Sequence, residues 1–311
     1  MSKTDFGHIV ATLRREARNE FDEIMSQNDL ADLARIPLIT LQKIEQGRQI
    51  NLKPELVLSL ANALDLSSYS RQFFFLASLG LSQREIVNKR NSQSDLWNEV
   101  TEIHAQLQIP AYVCNGFGDL ILVNPGFLHI LGIQKNELDL GNMLCKYNIN
   151  RIYFSPEFKE LQRAMGAAYS PFARRSVFIF KAMTLKLRNH WYFQKILPEL
   201  NRFPHFREHW QSTAFHDEDI SIPMNPMEIN SPKWGLLRFV SFPISAMTEE
   251  TDITLFSYQP TDLTTVQACT QMAEELGTQP IQLSDWFVPS KPAQLEIPPN
   301  FTVESKAKQG R

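Results

Sequence analysis

Between Ser26 and Arg48 the chain reads SQNDLADLARIPLITLQKIEQGR. Within it Gln27, Gln42, Lys43, Gln46 and Arg48 can donate hydrogen bonds to base edges and phosphates. Leu38, Ile39 and Thr40, directly after Pro37, offer methyl groups of the kind that pack on a thymine methyl. A second constellation is His205-Phe206-Arg207-Glu208-His209. Two imidazoles at i and i+4 can share one helix face and bind zinc, with the glutamate as base. Pro204 starts that helix and no motif marks a further carboxylate, so an ordinary amphipathic helix is the preferred expectation. Cys114, Cys145 and Cys269 are far apart and form no CxxC pair, as expected of reduced thiols, with Cys114 a buried structural thiol on a strand. No nucleotide loop, nucleophile elbow, paired-carboxylate signature or kinase set is present, so no enzyme and no cofactor are expected.

The base-reading donors need a rigid carrier, and the flanking residues supply one. Ser26 is a good N-cap, because its hydroxyl can accept a free amide hydrogen of the first turn. Leu30, Ala31 and Ala34 fall on one helical face. Ile36-Pro37 breaks the run, and a second helix starts at Pro37 with Leu41 and Ile44 inward. Gly47 closes it where a left-handed residue is cheapest. Leu38, Ile39, Gln42, Lys43 and Gln46 are left facing outward. Two short helices joined by a tight turn have the form of a helix-turn-helix whose second helix enters the major groove. The alternative is a small helical hairpin without a DNA role.

The pattern S-Q-x-x-L-A-x-x-A-x-I-P-x-x-T-L-x-K-I-E-Q-G resembles the XRE family of phage-repressor-like regulators. The resemblance implies that Gln27 contacts a phosphate, that Leu38, Ile39 and Lys43 face bases, and that Glu45 is a structural acid. Arg35 stands where that family usually has glycine, at a cost of about 1 kcal/mol if the turn is kept. The acidic link from Asn19 to Met25 is longer than the family's and is expected to face away from DNA or to extend the first helix.

The 311 residues suggest about two domains, and 43% hydrophobic content supports a substantial core. A net charge of −3 excludes a protein that binds nucleic acid over its whole surface. Positive charge is instead local, since residues 35–53 carry Arg35, Lys43, Arg48 and Lys53 against Glu45 alone. No apolar signal core or spanning run is present, so a cytoplasmic protein without membrane association is expected.

The expected fold class is α+β: an all-α helix-turn-helix domain of five helices over 1–81, a polar linker over 82–95, a PAS-like sensor domain with an antiparallel sheet over 96–276, and an extended or disordered tail over 277–311, where Trp286 and Phe287 can dock. The first helix is expected over 5–18, with Ile9, Leu13 and Ala17 inward and Arg14, Arg15 and Arg18 outward. Pro54 starts a helix, and residues 68–80 form another whose Phe73, Phe74 and Phe75 serve the core or the next domain. A helix over 96–107 precedes the strands IPAYVC and LILVN, which form a hairpin around NGFGD, and Asn124-Pro125 opens a short helix. Residues 175–197 are apolar on nearly all sides, which predicts one buried helix. WGLLRFVSFPIS and TDITLFSYQPTD have strand composition, and a last helix runs over about 264–276.

This second region resembles the MmyB-like ligand-binding domain, through Pro110-Ala111-Tyr112-Val113, Asn142-Met143-Leu144, Leu187-Arg188, Phe206 with Trp210, Trp234-Gly235-Leu236, and Tyr258, Pro260 and Asp262. It departs at Ser231-Pro232-Lys233, where that family usually has His-Pro. The resemblance implies a lipophilic or acyl-chain-like small ligand. Tyr112, Leu122, Phe127, Tyr147, Phe178, Met183, Trp191, Phe193 and Phe239 are the candidate pocket residues. A regulator that binds a double-stranded DNA operator as a homodimer under the control of such a ligand is the leading expectation. The alternative is an interaction protein whose C-terminal region binds only a protein partner, with a zinc hydrolase as the remote third reading.

Overall fold

The computed structural model describes residues 3–19, 21, 23–48, 51–80, 93–133, 147–212, 225–246 and 252–284. An all-α region comes first: α1 (Lys3–Glu16), α2 (Gln27–Leu33), α3 (Leu38–Glu45), α4 (Pro54–Ala63) and α5 (Ser68–Ser78). Their apolar faces converge on one core containing Phe6, Ile9, Leu13, Leu30, Leu41, Ile44, Leu60 and Phe74. The expected first helix is displaced by two residues. Arg18 instead bridges Ile24, and Asn19 N–H donates to the Glu23 carbonyl, so the acidic link makes a small antiparallel turn rather than more helix.

A mixed region comes next. After α6 (Gln93–Gln106) come β1 (Ala111–Asn115), β2 (Leu120–Val123) and α7 (Pro125–Ile130). Then come α8 (Ile149–Phe154), α9 (Lys159–Met165), α10 (Tyr169–Met183), α11 (Trp191–Leu200) and α12 (Pro204–Ser212). The described residues end in β3 (Asn225–Ser231), β4 (Gly235–Ala246), β5 (Ile253–Pro260), α13 (Leu263–Leu276) and β6 (Ile281–Gln282). The strands form one antiparallel sheet of order β3-β4-β5-β1-β2-β6. Among the described residues the sheet is confined to the second region, and the fold class is α+β.

The period of two along β1 sorts its side chains to two faces, both covered, while a bulge in the β1–β2 register puts the consecutive Ile121 and Leu122 of β2 on one side. Tyr112, Cys114, Leu120 and Val123 enter the large core under the helices, while Ala111, Val113, Ile121 and Leu122 pack beneath α6 with Leu96, Trp97 and Val100. Asn124 caps α7 as expected, its side-chain oxygen accepting from Phe127 N–H at 2.9 Å, and it also ties the hairpin by accepting from Ala111 N–H. The start of the tail adds to the sheet: β6 pairs with β2, and Leu283 N–H donates to the Ile121 carbonyl. Trp286 and Phe287, Cys145, Asn142-Met143-Leu144 and most of the linker lie outside the described residues.

One expectation needs correction. Residues 175–197 are not a single helix but the end of α10 and the start of α11, separated by a break that contains a 3-10 turn over Leu185–Leu187. The Thr184 hydroxyl bonds back to the Phe180 carbonyl at 2.6 Å, an arrangement that bends a helix. His190 then caps α11 by accepting from Tyr192 N–H. The apolar residues on every side are explained by the break, because they serve two different cores: Leu185 packs into the N-terminal core while Leu187 stays in the C-terminal one.

Candidate nucleic-acid interface

The α2–α3 pair is built by local chemistry. Ser26 Oγ accepts from Asp29 N–H at 3.1 Å and Asp29 Oδ2 accepts from Ser26 N–H at 2.7 Å, a reciprocal capping box. These bonds, backbone first, hold the Asp29 carboxyl below the usual carboxylate range. At the end of α2 the chain turns through Arg35 at φ 55°, with Ile36 N–H donating to the Ala31 carbonyl. The left-handed turn is therefore retained without glycine. Gly47 ends α3 in the same way at φ 67°, with Arg48 N–H donating to the Lys43 carbonyl.

Leu41 and Ile44 are buried, so the opposite side of α3 is turned out. Pro37, Leu38, Ile39, Lys43, Gln46 and Arg48 are exposed there, with Ile39 at 63%, while Thr40 and Gln42 are half-buried on its margin. All the outward residues expected from the spacing thus share one surface.

Glu45, the sole acid between residues 35 and 53, is withdrawn from that surface. Arg14 Nε and Nη2 donate to its two oxygens at 2.7 and 3.1 Å, and Arg14 Nη1 donates to the Met25 carbonyl. Arg14 was expected outside; it is buried because this bidentate partner offsets its desolvation. Gln27 Nε2 also donates to Glu45, at 2.6 Å. One amide hydrogen of Gln27 is thereby used inside the protein. The result is an outward α3 face that keeps Lys43 and Arg48 exposed while Glu45 is turned inward.

The candidate pocket residues divide. A cavity of ≈ 40 Å³ lies between the sheet and α8 and α10, lined in part by Tyr112, Asn150, Tyr153, Ile179, Phe180 and Met183. Of the nine expected residues only Tyr112 and Met183 line it. Leu122 is on the opposite sheet face, beside Ile121, where the bulge in the β1–β2 register puts it and where a doubly buried strand gives no sign of its facing. Phe127, Phe193 and Phe239 fill the core, Tyr147 and Trp191 pack half-buried against it, and Phe178 is buried away from the cavity. Asn150, which spacing could not mark, was missed.

The cavity walls are held by polar bonds. Tyr153 and Tyr258 share a hydroxyl bond of 2.8 Å, and Tyr112 stacks on Phe256 at 4.9 Å. Burial pushes the Cys114 thiol up, which disfavours its thiolate. Burial likewise raises the Asp119 carboxyl, against bonds from Tyr192, Asn148 and Asn115. His205 and Glu208 form an exposed pair at 3.6 Å on α12, and among the described residues no three histidines, cysteines or acids cluster as metal ligands do.

Residues 15–69 match the helix-turn-helix family, which spans α2, α3 and α4 and supports an XRE-type, DNA-binding regulator. Among curated proteins none matches this chain. Among the described residues no helix is long and apolar enough to cross a membrane.

Proposed function

We propose that the chain is a cytoplasmic, non-enzymatic transcription regulator that reads a specific operator through the outward face of α3, as a homodimer, under the control of a lipophilic small ligand held by its second region. The single observation that carries the DNA reading is the withdrawal of Glu45 onto Arg14 and Gln27 beneath an α3 face that keeps Lys43 and Arg48 exposed. Phosphate neutralisation needs cations free of local acids, and base reading needs outward donors; this face offers both. Lys43 and Gln42 are assigned to bases, Leu38, Ile39 and Thr40 to thymine methyls, and Gln27, Gln46 and Arg48 to the backbone beside Pro37.

The PAS-like, MmyB-like assignment of the second region is supported by where the resembling residues meet. Phe206 and Trp210 stack at 5.8 Å, with Arg188 4.6 Å from the Trp210 ring, and Tyr258 N–H donates to the Pro110 carbonyl between β5 and β1. Few base-reading donors per chain favour dimeric binding, with half-sites one helical turn, about 34 Å, apart.

The test is an operator selected from random duplexes, followed by titration of variants. Lys43→Ala is expected to weaken specific binding by roughly 1–3 kcal/mol. Arg48→Glu is expected to weaken all sequences alike and to flatten the salt dependence. Unchanged affinity in both variants would remove α3 from the interface.

A further inference from the structure

The cavity under α10 is lined by a residue whose side-chain oxygen has no partner among the described residues. Asn150 is 1% exposed, and its Oδ1 has no hydrogen-bond partner among the described residues. The orientation of its amide is set by neighbours. Asn148 Nδ2 donates to the Phe117 carbonyl at 2.8 Å and to Asp119 Oδ1 at 2.9 Å, which turns Asn148 Oδ1 toward Asn150. That oxygen accepts from Asn150 N–H at 3.1 Å and lies 3.5 Å from Asn150 Nδ2. The Asn150 oxygen is thus left as an acceptor without a partner, on a residue that lines the cavity. A buried acceptor without a partner is destabilising, and a donor entering the cavity would satisfy it.

The remaining wall is mostly apolar, through Ile149, Ile179, Phe180, Met183 and Phe256. The volume of ≈ 40 Å³ suits about three waters, so anything larger must displace a side chain. Ile179 and Met183, one turn apart on α10, are half-buried, whereas the other apolar members are buried. Met183, unbranched and with three rotatable bonds, is the wall that yields most easily.

The chain just beyond Met183 makes its displacement consequential. Two residues on, Leu185 is inserted in the core of the N-terminal helices at 1% exposure. On either side of it Lys181 and Arg188 reach Glu16 at the end of α1, at 3.7 and 3.4 Å. Glu16 in turn is two residues from Arg14, which holds the acid of α3.

We propose that this cavity takes a small neutral molecule bearing one N–H or O–H donor on an apolar body, received by Asn150 Oδ1, and that its entry displaces Met183 and so shifts the Lys181–Arg188 stretch against α1. The second half rests on the DNA-binding reading; the first does not.

Phenol is the probe and toluene, its near-isostere without the donor, the comparison, both titrated calorimetrically into the full chain. Phenol is expected to bind at least about tenfold more tightly than toluene, and Asn150→Ala to abolish that preference. Equal binding of the two, binding of neither, or a preference that survives in Asn150→Ala overturns the site. Met183→Phe, which fills the cavity without touching Asn150, is expected to exclude both probes and decides the matter if Asn150→Ala fails to fold. For the coupling, saturating phenol is expected to change operator affinity at least about fivefold in the wild type and not in Met183→Phe. Phenol that binds without changing operator affinity overturns the coupling. A wild-type chain that binds no DNA overturns the DNA reading and the coupling with it, while the calorimetry still decides the site.

Discussion

Arg35 holds a left-handed conformation, φ 55°, at the junction on which the α2–α3 geometry depends. A Cβ in that region crowds the following carbonyl, whereas glycine adopts it freely. Arg35→Gly is therefore expected to stabilise the N-terminal helices by about 1 kcal/mol, read as a raised denaturant midpoint. A lowered midpoint would mean that the arginine side chain contributes more than its backbone costs. Since Arg35 is exposed on the side of the turn, loss of DNA affinity in the more stable variant would assign it a phosphate contact. The turn itself was legible from Ile36-Pro37 and the apolar spacing around it, because caps, breaks and chirality act within a few residues. Arg14 was not legible, for its partner Glu45 lies 31 residues away.

At the level of elements, α1 and α3 approach so closely that only a glycine fits between them. A Cβ on Gly7 would stand 2.3 Å from the Ile44 carbonyl oxygen and 2.8 Å from that of Glu45. These are the last turn of α3, where the backbone cannot move without tilting the outward face. Gly7→Ala is thus expected to destabilise the domain by roughly 1–3 kcal/mol through overpacking, despite alanine's better helix propensity. It should also weaken operator binding through a reoriented α3. An unchanged or raised midpoint would refute the close approach. The strands differ among themselves in how plainly their residues announce them. β1, β2, β4 and β5 are evident from their composition, but β3, with Asn225, Pro226, Glu228 and Asn230, carries no strong apolar signal and is a strand by virtue of its pairing with β4.

For the molecule as a whole, the decisive feature is the seam between the two regions. Leu185 contributes to the core of one while its neighbours Phe180 and Leu187 belong to the core of the other. Lys181, buried beside Trp210 and Arg188, has its ammonium pushed down to about 8 by burial, against the opposing pull of Glu16. Leu185→Ala is expected to cost about 2–5 kcal/mol by opening a cavity at this seam. The loss should appear as faster amide exchange in α1 and α5, which lie beyond the substituted region. Exchange that quickens only in α10 and α11 would show that the N-terminal core stands without Leu185.

Sequence alone was sufficient for the helix-turn-helix, its outward donors, the α+β class and most strands, because those depend on caps, turn residues and hydrophobic period over short stretches. It was insufficient for the burial of Arg14 against Glu45, the break after Met183, the side of the sheet that Leu122 faces and the unpaired oxygen of Asn150. The burial of Arg14, the facing of Leu122 and the orientation of Asn150 are settled by partners distant in the chain, and a pattern read along one strand or helix contains no record of what will pack against it. The stretch from Ser26 to Arg48 could thus be recognised from its own residues; its exposed charge came from Arg14, and its link to the second region from Leu185.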